Sequence, residues 1–343
     1  IGEAPKIIMA SLDAAASKPR QAITSPLEHR RFLSSESKAA LVRFVLRLNK
    51  SCAGKDLPRD DDVSSSPCCA RLVAMLRKVR VKVDAVPAAN ARDRRFGDAA
   101  FRVLHDWLRR ESRRFAADVV AADDDQAEEL AAYLAASFGD AQRLDYGTGH
   151  ETAFVVFLLC LWRRGALSDS DVDSGTLVLT VIHEYLLTCR RIQLEYVLEP
   201  AGSRGVWALD DYQCLAFLFG SAQHCSAPAS EGPAAAAYAK GRDLDMDVLA
   251  LHEPRSLYFQ ALRFAKTSKR GAPFAEACPV LFAYAAKPWK AINRAVFLYY
   301  DSDVLGTFVV ARHLLFGHLF PPEWLFSQQG TTTTTTTTRQ QQR

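Results

Sequence analysis

Arg143 to Gly165 reads RLDYGTGHETAFVVFLLCLWRRG. A glycine-bearing loop runs straight into ten apolar residues, Ala153 to Trp162. Thr148 and Glu151 have capping-box spacing, a hydroxyl at N-cap and a carboxylate at N3, which predicts a helix starting there. Gly165 supplies its C-cap. The apolar run is too short to cross a bilayer, which takes ~20 residues. It predicts a strongly apolar helix. Gly147 and Gly149 let the backbone turn and let another group approach closely. The loop then ends on unpaired N–H groups at the positive end of a helix, with Arg143 just upstream. That is a seat for an anion, phosphate being the usual one. A plain helix start is the competing reading of the same residues.

Working outward, helical periodicity dominates. Ser35 to Lys50 puts Leu41, Phe44, Val45 and Leu48 on one stripe. Helices are predicted over Ala70–Val83, Arg94–Val120, Asp123–Phe138, Asp171–Leu198, Asp211–Ala222, Asp243–Ala265, Trp289–Tyr300 and Asp303–Leu315. Pro254 is expected to break its helix. Strand-like alternation is nearly absent, so the fold class is all-α. Residues 1–34 are expected to be poorly ordered, 35–327 to form one helical unit, and the Thr/Gln-rich 328–343 to be a disordered tail.

Composition narrows the function classes. Of the 343 residues, 49% are hydrophobic, enough for a sizeable core, and the formal charge of +4 is too mild to argue for nucleic acid. The Arg-rich segment near Arg102, Arg109, Arg110, Arg113 and Arg114 is interleaved with Asp98, Asp106, Glu111 and Asp118. That pattern describes a solvated helix face. The eight cysteines form no C-x-x-C pair, which predicts buried free thiols in a reducing compartment and no zinc knuckle. His183-Glu184 lacks the second histidine of a zinc protease, since Leu187 stands there. No membrane association is expected.

A second motif lies at Glu199 to Gln223, EPAGSRGVWALDDYQCLAFLFGSAQ. Its Pro/Gly loop presents Val206 and Trp207, an aromatic whose Gly-rich, acid-flanked setting is less typical of a core than of a binding hot spot. Asp210 and Gln213 repeat the capping-box spacing. Asp211 adds a carboxylate that no cap requires. A hard cation such as magnesium takes one carboxylate, a backbone carbonyl, waters and nucleotide phosphates, and Asp211 with the Gly205 carbonyl would supply the protein's share. A first-turn acid favouring the helix dipole accounts for Asp211 as well.

These words in order, DYGTGHE, EPAGSRGVW, LDDYQ and FGSAQ, followed by GAPFAE, PWKAIN and HLLFG, resemble the phosphotyrosyl phosphatase activator family. The resemblance spans about Arg94 to Phe320. It implies an all-α fold with core, linker and lid parts around a cleft. It implies activation of a type 2A serine/threonine protein phosphatase, with the catalytic and scaffold subunits as partners. ATP and Mg2+ are the implied cofactors, and prolyl cis–trans isomerisation of a proline-containing peptide is an implied activity. By the same resemblance, Arg143, Thr148 and Gly149 match nucleotide-contacting positions, and Arg312 stands where the family more often has Gln. Gly205 and Asp211 match magnesium-linked positions; Val206 and Trp207, with Asp210 beside them, match the loop that meets the phosphatase or peptide. Ala208, Ala216 and Ala295 depart from the family's usual Gly, Pro and Gly. Cytoplasmic placement, with the nucleus as a second location, follows from the same likeness. Isomerisation needs no nucleophile, because the ~18–20 kcal/mol amide barrier falls when a shaped cleft holds the twisted amide. The alternative is a helical adaptor that binds a phosphatase without isomerase or nucleotide activity.

Overall fold

Serine hydroxyls and prolines start the first helices. The computed structural model describes residues 18–59, 66–89, 97–120, 124–201, 208–226, 243–269 and 272–326. Ser25 caps α1 (Pro26–Leu33), accepting the Glu28 N–H at 3.2 Å, with Pro26 in the first turn. Ser35 caps α2 (Glu36–Ser51) in the same way, and Ser66 with Pro67 starts α3 (Pro67–Asp84). Next come α4 (Ala100–Val120), α5 (Asp124–Ala136), α6 (Thr148–Arg163) and α7 (Asp169–Asp173). A π-helical turn, Leu177–Ile182, leads into α8 (His183–Tyr196). The chain continues with α9 (Leu215–Gln223), α10 (Met246–His252), α11 (Leu257–Ser268), α12 (Phe274–Ala277) and α13 (Pro279–Tyr284). It closes with α14 (Trp289–Tyr299), a second π-helical turn at Tyr300–Leu305, and α15 (Phe308–Ala311).

The all-α expectation holds. Among the described residues the only ladders are two residues long. Arg20–Gln21 (β1) pairs antiparallel with Leu315–Phe316 (β4), and Asp145–Tyr146 (β2) pairs parallel with Glu199–Pro200 (β3). The apolar helix α6 is the hub, with every residue from Glu151 to Leu161 buried. It packs against α5 and α2; α4 lies on α5, α3 on α8, and α9 against both α11 and α14. One hydrophobic cluster extends from Ala22 to Trp324. No helix among the described residues is long and apolar enough to cross a membrane.

Several boundaries differ from expectation. The single helix expected over 171–198 is broken at Gly175, which has φ 82° and lies where a Cβ would stand 2.7 Å from the Ser51 carbonyl. The break at Pro254 is present, as a 3-10 turn over Glu253–Arg255. The helix expected to start at Asp211 begins only at Leu215. The helix expected over 303–315 is reduced to a π turn and the short α15, because the chain turns off at Gly306. Residues 1–34 were expected to lack order, yet 26–33 form α1, whose Phe32 is buried edge-on to Phe316 and Trp324. The segments 1–17 and 327–343, including the Thr/Gln-rich tail, lie outside the described residues.

All eight cysteines are free thiols, seven of them buried and Cys225 half-buried. Burial pushes the Cys52 and Cys189 thiols up to about 12, which keeps them protonated and inert. The arginines of α4 behave as a solvated, acid-paired face: Arg113 pairs with Glu128, and Arg109 lies 3.7 Å from Asp106. Glu184 is buried against Arg77 and Arg80, and His183 bonds Gln260 at 3.0 Å, so that pair is structural.

Candidate functional site

A cleft of about 640 Å3 opens at the start of α6. Its floor is the 139–143 turn with Gly149 and His150; α4 contributes His105 and Arg109, and the segment at α15 contributes Val309, Val310 and His313. Backbone geometry explains why this loop needs its glycines. Gly147 is extended, and a Cβ there would stand 2.7 Å from the Ala201 carbonyl, since the β2–β3 ladder presses the two chains together. Two non-glycine residues in the left-handed region, Leu144 (φ 54°) and Val197 (φ 48°), bracket that ladder. Each such residue costs on the order of 1–2 kcal/mol. The ladder holds them: the Leu144 carbonyl accepts the Glu199 N–H at 2.9 Å, and the Ala201 N–H donates to Tyr146 at 2.8 Å.

Arg143 is fixed before any ligand arrives. Its Nε and Nη2 donate to Asp145 at 2.6 and 3.1 Å, and Nη1 lies 2.9 Å from Asp140. Asp140 is itself held by the Gln142 and Arg143 N–H groups, each at 2.8 Å. A guanidinium carries five N–H donors; three are engaged here, and two are left for an anion. Burial pushes the Asp145 carboxyl up, but hydrogen bonds from His150 and Arg143 outweigh it and hold it below its usual value. His150 Nδ1 donates to the Ala136 carbonyl at 2.7 Å, and its ring stacks on Tyr146. Burial, then the nearby Arg143 and Arg312, hold the His313 imidazole below its usual value; burial does the same for His105. Buried Glu129 anchors the wall beyond, accepting the His318 and Leu319 N–H groups at 2.9 and 2.8 Å.

The expected site residues divide. Arg143 and Gly149 line the cleft; Thr148 begins α6 beside it. Arg312 stands on the outer face with its guanidinium 5.5 Å over the Phe308 ring, and His313 is the neighbour that lines the cleft. Neither capping box forms as expected. Gly147 takes the N-cap of α6 with no side-chain bond, so Thr148 is already helical. The Glu151 carboxylate reaches away instead, to the Cys214 and Leu215 N–H groups at 2.7 and 3.2 Å. Asp210 does cap its turn, accepting the Tyr212 and Gln213 N–H groups at 3.0 and 2.9 Å. Gln213 does not return the bond; its Oε1 accepts from Arg190 Nε at 3.0 Å. Asp211 is paired with Lys269, a partner that the sequence did not suggest. Gly205, Val206 and Trp207 lie outside the described residues. His105, His150 and His313 were missed, because they come from three distant segments and carry no spacing signal.

Residues 19–322 match the family model described as "Phosphotyrosyl phosphate activator (PTPA) protein". The chain belongs to the phosphotyrosyl phosphatase activator family. Among curated relatives, the serine/threonine-protein phosphatase 2A activator 2 of Yarrowia lipolytica is 37% identical over 305 residues, covering 88% of this chain and 82% of that one. Activator 1 of Schizosaccharomyces pombe is 35% identical, covering 88% and 90%. The crystal structure of the PP2A phosphatase activator Ypa1 (PTPA1) superposes with a TM-score of 0.76 at 26% identity, over 89% of this chain and 95% of that one. Ala208 and Ala216 are buried, and Ala295 lies inside α14.

Proposed function

We propose that this chain activates a type 2A serine/threonine protein phosphatase, binding its catalytic subunit with the scaffold subunit and using ATP, seated in the cleft, together with Mg2+. Prolyl cis–trans isomerisation of a bound peptide, and a cytoplasmic and nuclear location, belong to the same reading. Relatives named phosphatase 2A activators, matched over most of both chains, support the activator role. The observation that carries the nucleotide role is Arg143, clamped by Asp140 and Asp145 with donors to spare at a helix N-terminus. The donor chemistry suits a hard cation at the second motif. Asp210 is committed to its turn, while the Asp211 carboxylate already attracts a cationic partner in Lys269. Bound magnesium would neutralise phosphate charge; Asp211 and the Gly205 carbonyl would hold it.

The adaptor reading has one observation in its favour. Lys269 on Asp211 and the two carboxylates on Arg143 leave both groups paired without ligand. Co-purification with the phosphatase catalytic subunit, with and without ATP and magnesium, separates the two. Nucleotide-dependent association with a rise in phosphatase activity supports activation. Association indifferent to nucleotide and without a rise supports the adaptor.

A further inference from the structure

The cleft and the Asp210–Asp211 turn belong to segments far apart in sequence, and a buried polar chain joins them. Glu151 is two residues past Gly149 and fully buried. Its carboxylate holds the Cys214 and Leu215 N–H groups, the first donors of α9. Arg190, from α8, is buried over the Phe264 ring at 5.4 Å and donates to Gln213 in the same turn. On the other side the Tyr185 hydroxyl donates to the Ser137 carbonyl at 2.6 Å and lies 3.3 Å from the carbonyl of His150, next to Glu151. A displacement of the first turn of α6 therefore reaches residues 214–215 through one side chain.

This chain of contacts is incompletely satisfied. Glu151 Oε1, Arg190 Nη2 and Gln213 Nε2 are buried without a hydrogen-bond partner. Burying an unpaired polar atom costs about 1–3 kcal/mol. A chain of packed and hydrogen-bonded side chains, tied at one end to a cleft and at the other to a turn, is one physical carrier of coupling between sites.

We propose that Glu151, with Arg190 and Gln213, is a positioning bridge that passes a change at the cleft to the Asp210–Asp211 turn. The proposal deepens the activator reading and rests on the cleft being the nucleotide seat. None of these three residues touches the ligand; they act through the backbone of residues 210–215.

Hydrogen–deuterium exchange on the full chain with the phosphatase catalytic subunit, with and without ATP and with magnesium withheld so that no cation acts on Asp211 directly, tests it. In the wild type, nucleotide should slow exchange of both 143–152 and 208–216, by about threefold or more. Glu151→Leu should keep the response at 143–152 and lose most of it at 208–216. Glu151→Gln, which retains an acceptor oxygen for both N–H groups, should restore it. A merely structural residue would change both segments together, with or without nucleotide. Arg190→Met, whose stem still covers Phe264, gives a second reading should Glu151→Leu fail to fold, and it too should blunt the response at 208–216. An undiminished response at 208–216 in Arg190→Met, or in a folded Glu151→Leu, overturns the bridge while leaving the nucleotide seat intact. No response at 143–152 in the wild type overturns the nucleotide reading and the bridge with it.

Discussion

Glu151→Gln changes how stability depends on pH, and the size of the change follows from the burial of one carboxyl. Burial raises the Glu151 carboxyl from 4.5 to about 8, against the pull of the Cys214 and Leu215 N–H groups. The folded chain thus keeps a proton that the unfolded chain releases above 4.5. Stability contributed by this group is lost as pH rises between the two values and is level above the upper one. Each pH unit inside the window corresponds to about 1.4 kcal/mol. From pH 6 to pH 8 the wild type should lose roughly 2 kcal/mol that the non-titrating glutamine variant does not lose. Urea unfolding of both proteins, followed by circular dichroism at intervals across that range, gives the difference directly. Histidines that titrate in the same window, such as His105 and His313, cancel in the subtraction. A difference that stays flat from pH 6 to pH 8 would refute the reasoning. It would mean that the carboxylate is charged throughout and compensated by Arg190.

Three further outcomes are expected. Arg143→Ala should weaken ATP binding to the phosphatase complex by about tenfold or more, since charge-assisted hydrogen bonds to phosphate are the strong ones; unchanged affinity by calorimetry would place the nucleotide elsewhere. Lys269→Met should remove one cationic competitor from the Asp211 carboxylate and lower the manganese concentration needed for half-saturation, read by electron paramagnetic resonance in the ATP-loaded complex, by about three- to tenfold; no change would count against a cation held by Asp211. Val206→Asp should abolish capture of the phosphatase catalytic subunit, because an unpaired charge in a desolvated contact costs several kcal/mol, on the order of 3–5; capture at wild-type strength would show that this loop faces away from the partner.

The helices were legible where capping and periodicity act locally. Ser35 was placed correctly at the start of α2, because its hydroxyl serves an N–H three residues away. Pro254 broke its helix for an equally local reason. The 171–198 segment was misread because its periodicity is continuous through Gly175, while the turn there is forced by contact with Ser51, over a hundred residues distant. Glu151 shows the same limit at the site. Its spacing from Thr148 satisfies a capping box, but burial of Glu151 turned the carboxylate to donors more than sixty residues away, the Cys214 and Leu215 N–H groups. The Arg143 and Gly149 side of the cleft could be read from one loop. Its histidine wall could not, because His105, His150 and His313 meet only after α4, α6 and the closing segment have packed.

The most direct test is reactivation of a purified, inactive type 2A phosphatase catalytic subunit by this chain, measured as phosphatase turnover across a titration of the chain with ATP and magnesium present or withheld. Turnover should rise to saturation near one equivalent of chain when both are present, and stay near baseline when either is missing. Saturable binding to the catalytic subunit with no gain in turnover under any of these conditions would contradict the proposed activation.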